Sequence, residues 1–237
     1  MHVLKLMWFW VCYWFPFIPA VPAFGKREDA DCVYAQAFGR NSLSDDELGA
    51  TLYRLRTEVD MDDWQAFTLL AYRGFDPGKS NRAIARYCKR AVRERRIALI
   101  GQWEVMYAIW DEDPAWYYDH RELLDIVWPP REGYFATRHV KLLSRECMHK
   151  RGCSRPLEVA HPAMVTRAVS VIWALGVTPI VEPVKPFRFH RHELWVWDGD
   201  SVQGWTRRFR SWVIRELAGR AHHLLVGWLA LTPPETV

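Results

Sequence analysis

NRAIARYCKRAVRERRIALIGQWEVMYAIW, residues 81–110, is the stretch on which the fold turns. In its first half Arg82, Arg86, Lys89, Arg93 and Arg96 recur at intervals of 4, 3, 4 and 3, while Ile84, Tyr87, Cys88 and Ala91 occupy the opposite side at i, i+3, i+4 and i+7. That is the spacing of an amphipathic helix with a basic stripe. The stripe runs about 21 Å at 1.5 Å per residue, and Glu94 is the only acid within it. In the second half the chain turns apolar on most sides, with Ile100, Trp103, Tyr107 and Trp110 again at helical intervals. Reading both halves in one period predicts a long helix. It leaves a basic surface, enters the core over residues 97–110 and stops at Asp111-Glu112-Asp113-Pro114.

Flanking segments follow the same reading. Ser44-Asp45-Asp46-Glu47 has the form of a capping box and predicts a helix to about Val59. Residues 62–72 carry Trp64, Phe67, Leu70 and Ala71 at helical spacing and stop at Gly74. A short helix is expected over residues 117–127, ended by Trp128-Pro129-Pro130. Thr137 caps another to about Lys150 before Gly152, and His161-Pro162 opens one ending near Leu175 before Gly176. Residues 178–197 hold Pro179, Pro183 and Pro186, then alternate through Phe187, Phe189, Leu194 and Val196, which predicts two short strands or extended segments. Asp198-Gly199 turns the chain. Helices are expected over residues 205–217, with Trp205, Phe209, Trp212 and Val213 on one face, and over residues 220–231. The fold class is therefore mainly α, a single helical domain over residues 25–237 with a small extended or β patch near residues 180–197 and a sub-boundary near 176–186.

Residues 1–24 stand apart. Leu6 to Phe24 contains no charge, but Pro16, Pro19 and Pro22 confine a helix to about Val3–Phe15. With Lys5 ahead of the apolar run and the small residues Val21-Pro22-Ala23 before Phe24, the segment reads as a signal peptide or retained anchor. The competing reading packs it on the core. Export removes Cys12 and leaves Cys32, Cys88, Cys147 and Cys153, from which at least one disulfide is expected, Cys147 to Cys153 being closest in sequence. In a cytoplasmic protein the same residues are buried thiols.

Composition is that of a globular protein, with a net charge of +4. Fourteen Trp among 237 residues are too many for all to be hidden, which places some rings at an interface. Gly78-Lys79-Ser80 resembles the end of a phosphate loop, but Arg73 stands where that loop needs its first glycine, so no nucleotide and no cofactor are expected. His190 and His192 could share a metal with His222 or His223, yet two His two residues apart are common in a chain with nine, and surface histidines are the simpler account. His139, Cys147, His149 and Cys153 hold zinc-type donors at the wrong spacing. Glu104 and Glu216 fall within apolar faces, where a carboxylate needs an arginine partner or has a chemical role.

No complete catalytic motif is present, and no catalytic residue can be assigned. The features left are the stripe Arg82, Arg86, Lys89, Arg93 and Arg96, suited to anion binding, and Trp205, Arg207, Arg208, Arg210, Trp212 and Arg215, suited to a membrane or partner. These predict a non-enzymatic binding or assembly protein of the cell envelope, exported or membrane-associated, that engages an anionic membrane surface or an acidic protein partner. One alternative is a cytoplasmic accessory protein binding nucleic acid through the stripe. Another is a hydrolase, metal-dependent through His190 and His192 or directed at sugars through Glu104.

Overall fold

The structure, a computed structural model, describes residues 2–15, 23–42, 51–54, 61–129, 137–185 and 188–227. Elements follow in the order α1 (His2–Trp14), β1 (Cys32–Ala35), α2 (Asp63–Tyr72), α3 (Gly78–Arg95), β2 (Ala98–Gln102), α4 (Trp103–Glu112), α5 (Pro114–Asp119), β3 (Leu124–Val127), α6 (Thr137–Arg151), β4 (Pro156–Val159), α7 (Val165–Trp173) and α8 (Phe209–Leu225).

Residues 81–110 do not form one helix. α3 ends at Arg95, and Arg96 takes a left-handed conformation (φ 51°) that turns the chain out of the helical path. Ala98–Gln102 then forms a strand buried at every position, and α4 begins at the next residue. Gly101 permits this tight reversal, because a Cβ there would lie 2.5 Å from Met106 Sδ. The helical period misleads here for a physical reason. A strand covered on both faces has no polar alternation, so a short apolar run looks the same in either state.

The four strands form one parallel sheet in the order β3-β2-β1-β4, with Cys32 opposite both Ala98 and Pro156 and Leu99 opposite Leu124. Val33, Ala35, Leu99, Leu157 and Val159 share one core with α3, α4 and α5. Cys32, Tyr34, Ala98 and Ile100 pack on the other side against Val140 and Met148 of α6. The molecule is thus a three-layer α/β fold, which overturns the mainly α class. The four strands of the sheet all lie outside residues 180–197, where, among the described residues, Ile180 bridges Leu157 at the β4 edge and Val181 bridges Phe24. The helix expected over residues 117–127 is also corrected, since α5 stops at Asp119 and β3 follows. The two C-terminal helices are one through Leu225.

Local signals do place several elements. Asp62 caps α2 in a reciprocal box with Gln65, Thr137 starts α6, and Gly152 (φ 68°) follows its end. The Ser44–Glu47 box, most of the helix expected to Val59, Pro16, Pro19, Val21-Pro22, Pro130, Pro186, Phe187 and residues 228–231 lie outside the described residues.

α1 packs on the molecule through Phe9 and Tyr13, both fully buried, with the Phe9 ring 4.8 Å from that of Trp173 in α7. Among the described residues no helix is long and apolar enough to cross a membrane. Lys141 and Glu158 form a buried ion pair in the α6 layer at 2.6 Å, with the ammonium 3.9 Å from the Tyr34 ring centre. Burial pulls the Lys141 ammonium down to about 8 and holds the Glu158 carboxyl above its usual range, the mutual attraction opposing both shifts.

Candidate functional site

The chain moves from β1 outward through β2 to β3, then α6 carries it back to β4 on the far side of β1. At such a reversal of strand order a crevice opens beyond the carboxyl ends of the strands. A cavity of about 400 Å³ lies there, within the roughly 300–1,000 Å³ of small-molecule sites. Its floor is the loop after β1, residues 36–40, and the junction of β2 with α4, residues 102–104. Its walls are the starts of α6 and α7 and one side of α8. Because each helix here follows a strand, α4 and α6 begin at the cavity and turn the positive ends of their dipoles toward it.

Side chains brought from afar hold the floor loop. Ala37 N–H donates to Gln102 Oε1 (3.1 Å) and Phe38 N–H to Asn81 Oδ1 (2.8 Å), while Asn81 Nδ2 donates to the Gly39 carbonyl (2.7 Å). Gly39 has φ 73°, and a Cβ there would fall 2.6 Å from Thr206 Oγ1. Ser201 Oγ donates to the Arg40 carbonyl at 2.9 Å. The loop is therefore a built surface.

Charge in the cavity wall is organised around two glutamates. Glu104 faces Arg40 at 3.6 Å, each about 5% exposed. Glu216 accepts from Arg167 Nε at 3.1 Å and from Arg220 Nε at 2.8 Å. Arg167 also donates to Thr137 Oγ1 (2.9 Å), and Arg220 to Thr166 Oγ1 (2.8 Å) and the carbonyl of Tyr13. Both acids singled out in apolar faces are thus ion-paired to arginine. Arg215, also on the cavity wall, is exposed, stacks over the Trp205 ring at 5.0 Å and has no ion pair among the described residues. Gln36 is 4% exposed, lines the cavity, and its Oε1 finds no hydrogen-bond partner among the described residues. Burial lowers the His223 imidazole to about 4, so this cavity-lining ring is neutral at pH 7.

The remaining expected residues fall into separate places. On α3, Arg82 donates to Asp111 (2.8 Å), Arg86 to Glu112 (2.7 Å) and Lys89 to Asp113 (2.6 Å), whereas Arg93 and Arg96 are exposed. The acids at the end of α4, read as a helix stop, thus pair with three of the five stripe cations. Trp205, Trp212 and Arg215 reach the cavity. Arg207 donates to the Ser201 carbonyl at 2.6 Å, and Arg208 and Arg210 are exposed at the start of α8. His190 lies exposed in a 3₁₀ turn, while half-buried His192 accepts from Leu194 N–H at 3.2 Å.

Among the described residues the one grouping of metal-type donors is Asp31, Cys32 and Cys153, which excludes His139, Cys147, His149, His190 and His192. In it Asp31 already accepts from Ser154 N–H (2.7 Å) and Arg155 N–H (3.0 Å), and burial pushes the Cys32 thiol far up. All five cysteines are free thiols, and Cys153 neighbours Cys32 rather than Cys147. Gly78-Lys79-Ser80 opens α3, where Lys79 N–H donates to Asp198 Oδ2 (2.6 Å), so a carboxylate of the chain itself occupies that helix start. Sequence reasoning missed Gln36, Arg40 and Arg167, for which no local signal exists, because only the sheet order brings them together.

The chain matches no protein-family model, and no curated protein and no solved structure is similar to it.

Proposed function

We propose that this protein binds a small hydroxylated organic anion, such as a sugar phosphate or a hydroxy acid, in the cavity at the carboxyl edge of its sheet. The observation that carries the reading is the buried Gln36 amide, whose oxygen lacks a partner among the described residues in a cavity that also presents the Arg215 guanidinium. A buried polar atom without a partner costs free energy, and a ligand hydroxyl would satisfy it. The arginine and the helix starts favour an anion, and Trp103, Trp205 and Trp212 offer apolar surface for a carbon skeleton.

Thermal unfolding with phosphate, glucose, glucose 6-phosphate and gluconate tests this. A hydroxylated anion should raise the midpoint more than either phosphate or glucose, and a ligand at a hundredfold excess over Kd adds about 2.7 kcal/mol. Arg215→Gln should weaken the anions, and Gln36→Leu should weaken every hydroxylated ligand. A chain that none of these ligands stabilises, or on which glucose acts as strongly as its phosphate, refutes the reading.

A hydrolase is the second reading, favoured by Glu104 and Glu216 lining the same cavity. Turnover of an aryl glycoside or aryl phosphate, lost in Glu104→Gln while ligand binding remains, would select it over binding alone.

A further inference from the structure

α8, which walls the cavity, and α1, which Arg220 ties to it, both turn apolar stripes outward. On α1, Leu4, Met7, Trp8, Val11 and Trp14 are all exposed, Leu4 to 73%, and fall at i, i+3, i+4, i+7 and i+10. On α8, Ile214 (75%), Leu217, Leu224 and Leu225 (85%) lie exposed at i, i+3, i+10 and i+11. The buried side of α8 is the polar one, formed by Glu216, Arg220 and His223 beside Trp212. This inverts the usual arrangement, in which a surface helix hides its apolar side. The two helices meet at Arg220, whose guanidinium donates to the carbonyl of Tyr13 near the end of α1.

Exposed charge on these two helices has one sign. α1 contains Lys5 and no acid, and the single acid of α8 is the buried Glu216. Arg207, Arg208, Arg210 and Arg215 are exposed at and within the amino-terminal half of α8. Apolar stripes, tryptophans and arginines without exposed acids match the two layers of an anionic bilayer surface, apolar side chains in the acyl boundary and cations at the headgroups. An isolated apolar patch would fit a protein partner equally, but the arginine cluster supplies the charge complementarity that selects anionic lipid.

We infer that α1 and α8 together form a face that docks on an anionic lipid surface. α1, 13 residues long, lies in the interface without spanning it. Docking sets the cavity beside the membrane, since α8 is also its wall. The inference stands apart from any ligand in the cavity.

The full chain should sediment with phosphatidylcholine vesicles holding about one third phosphatidylglycerol, and less with phosphatidylcholine alone. Salt should weaken the first and leave the second little changed. Changing Leu4, Met7 and Val11 to Gln, or separately Ile214, Leu217 and Leu224 to Gln, should reduce binding to both vesicles by about tenfold or more. These positions are exposed, so the unfolding midpoint should hold. If one set fails to fold, the other still decides the question. Changing Arg207, Arg208 and Arg210 to Gln should remove only the preference for anionic vesicles. No sedimentation with either vesicle overturns the inference, as does binding unchanged in both apolar variants. A soluble dimer dispersed by the same substitutions would assign the face to a second copy of the chain and overturn it too.

Discussion

Arg220 and Glu216 sit one turn apart on α8, joined Nε to Oε1 at 2.8 Å, with both side chains about 1% exposed. Their cluster ties three elements together, because Arg167 of α7 shares Glu216 and Arg220 reaches the last carbonyls of α1. A guanidinium there satisfies carbonyls that the helix itself leaves open and opposes the negative end of its dipole.

Glu216→Ala should destabilise the protein by about 3–5 kcal/mol, because it leaves two arginines close-packed and uncompensated. Glu216→Gln retains an acceptor and should cost less. Urea unfolding of the two variants checks the order, and equal losses would mean that packing rather than charge sets the effect.

Phe9→Ala should cost about 3–5 kcal/mol, the usual penalty for emptying a fully buried aromatic site. The Phe9 ring touches those of Trp10, Phe24 and Trp173, so several partners lose contact at once. If residues 1–24 instead leave the mature chain as an export signal, Phe9→Ala will not alter its stability, and mass spectrometry of the natural protein will find a start near Phe24.

Stability should fall as pH drops below about 6. Burial, aided by His192, lowers the His161 ring to about 3 from an ordinary 6.5; it stacks 4.0 Å from Phe38 and accepts from Ala163 N–H. Between those values the unfolded chain binds a proton that the folded one does not. Stability is therefore complete above the unfolded value and lost toward the folded one, at up to about 1.4 kcal/mol per pH unit from this group. His223 and His192, both lowered chiefly by burial, act in the same direction. His161→Phe should flatten the acid limb of a plot of unfolding free energy against pH. An unchanged slope would place its cause elsewhere.

On α3 the five cations should divide into two classes. Arg82→Gln, Arg86→Gln and Lys89→Gln each remove an ion pair to the end of α4, at side chains 27%, 66% and 15% exposed, and should cost about 1 kcal/mol at most. Arg93→Gln and Arg96→Gln should fall within about 0.5 kcal/mol of the parent. We propose that any electrostatic binding of nucleic acid by this helix rests on Arg93 and Arg96. A binding assay at two salt concentrations would reveal its loss in their double variant, and loss in the Arg82 and Lys89 variants instead would contradict that division.

What the sequence alone determined is the local part: where several helices start and stop, and that Glu104 and Glu216 need partners. Stop signals such as Gly74 and Gly152 act on the turn just before them, and the i, i+3, i+4 period is complete within a few turns, so both are legible without knowing the neighbours. The strands were not. CVYA, ALIGQ, LDIV and PLEV are four- and five-residue runs in a sheet covered on both sides, and a strand is defined by its hydrogen-bonding partner. Cys32 meets Ala98 and Pro156 only after long crossovers have closed. Everything that depends on this pairing was decided by the tertiary structure. The cavity exists because β4 returns to the far side of β1, three of the five stripe cations are paired because α4 folds back along α3, and the apolar stripe of α8 faces outward because its charged side is fastened to α1 and α7.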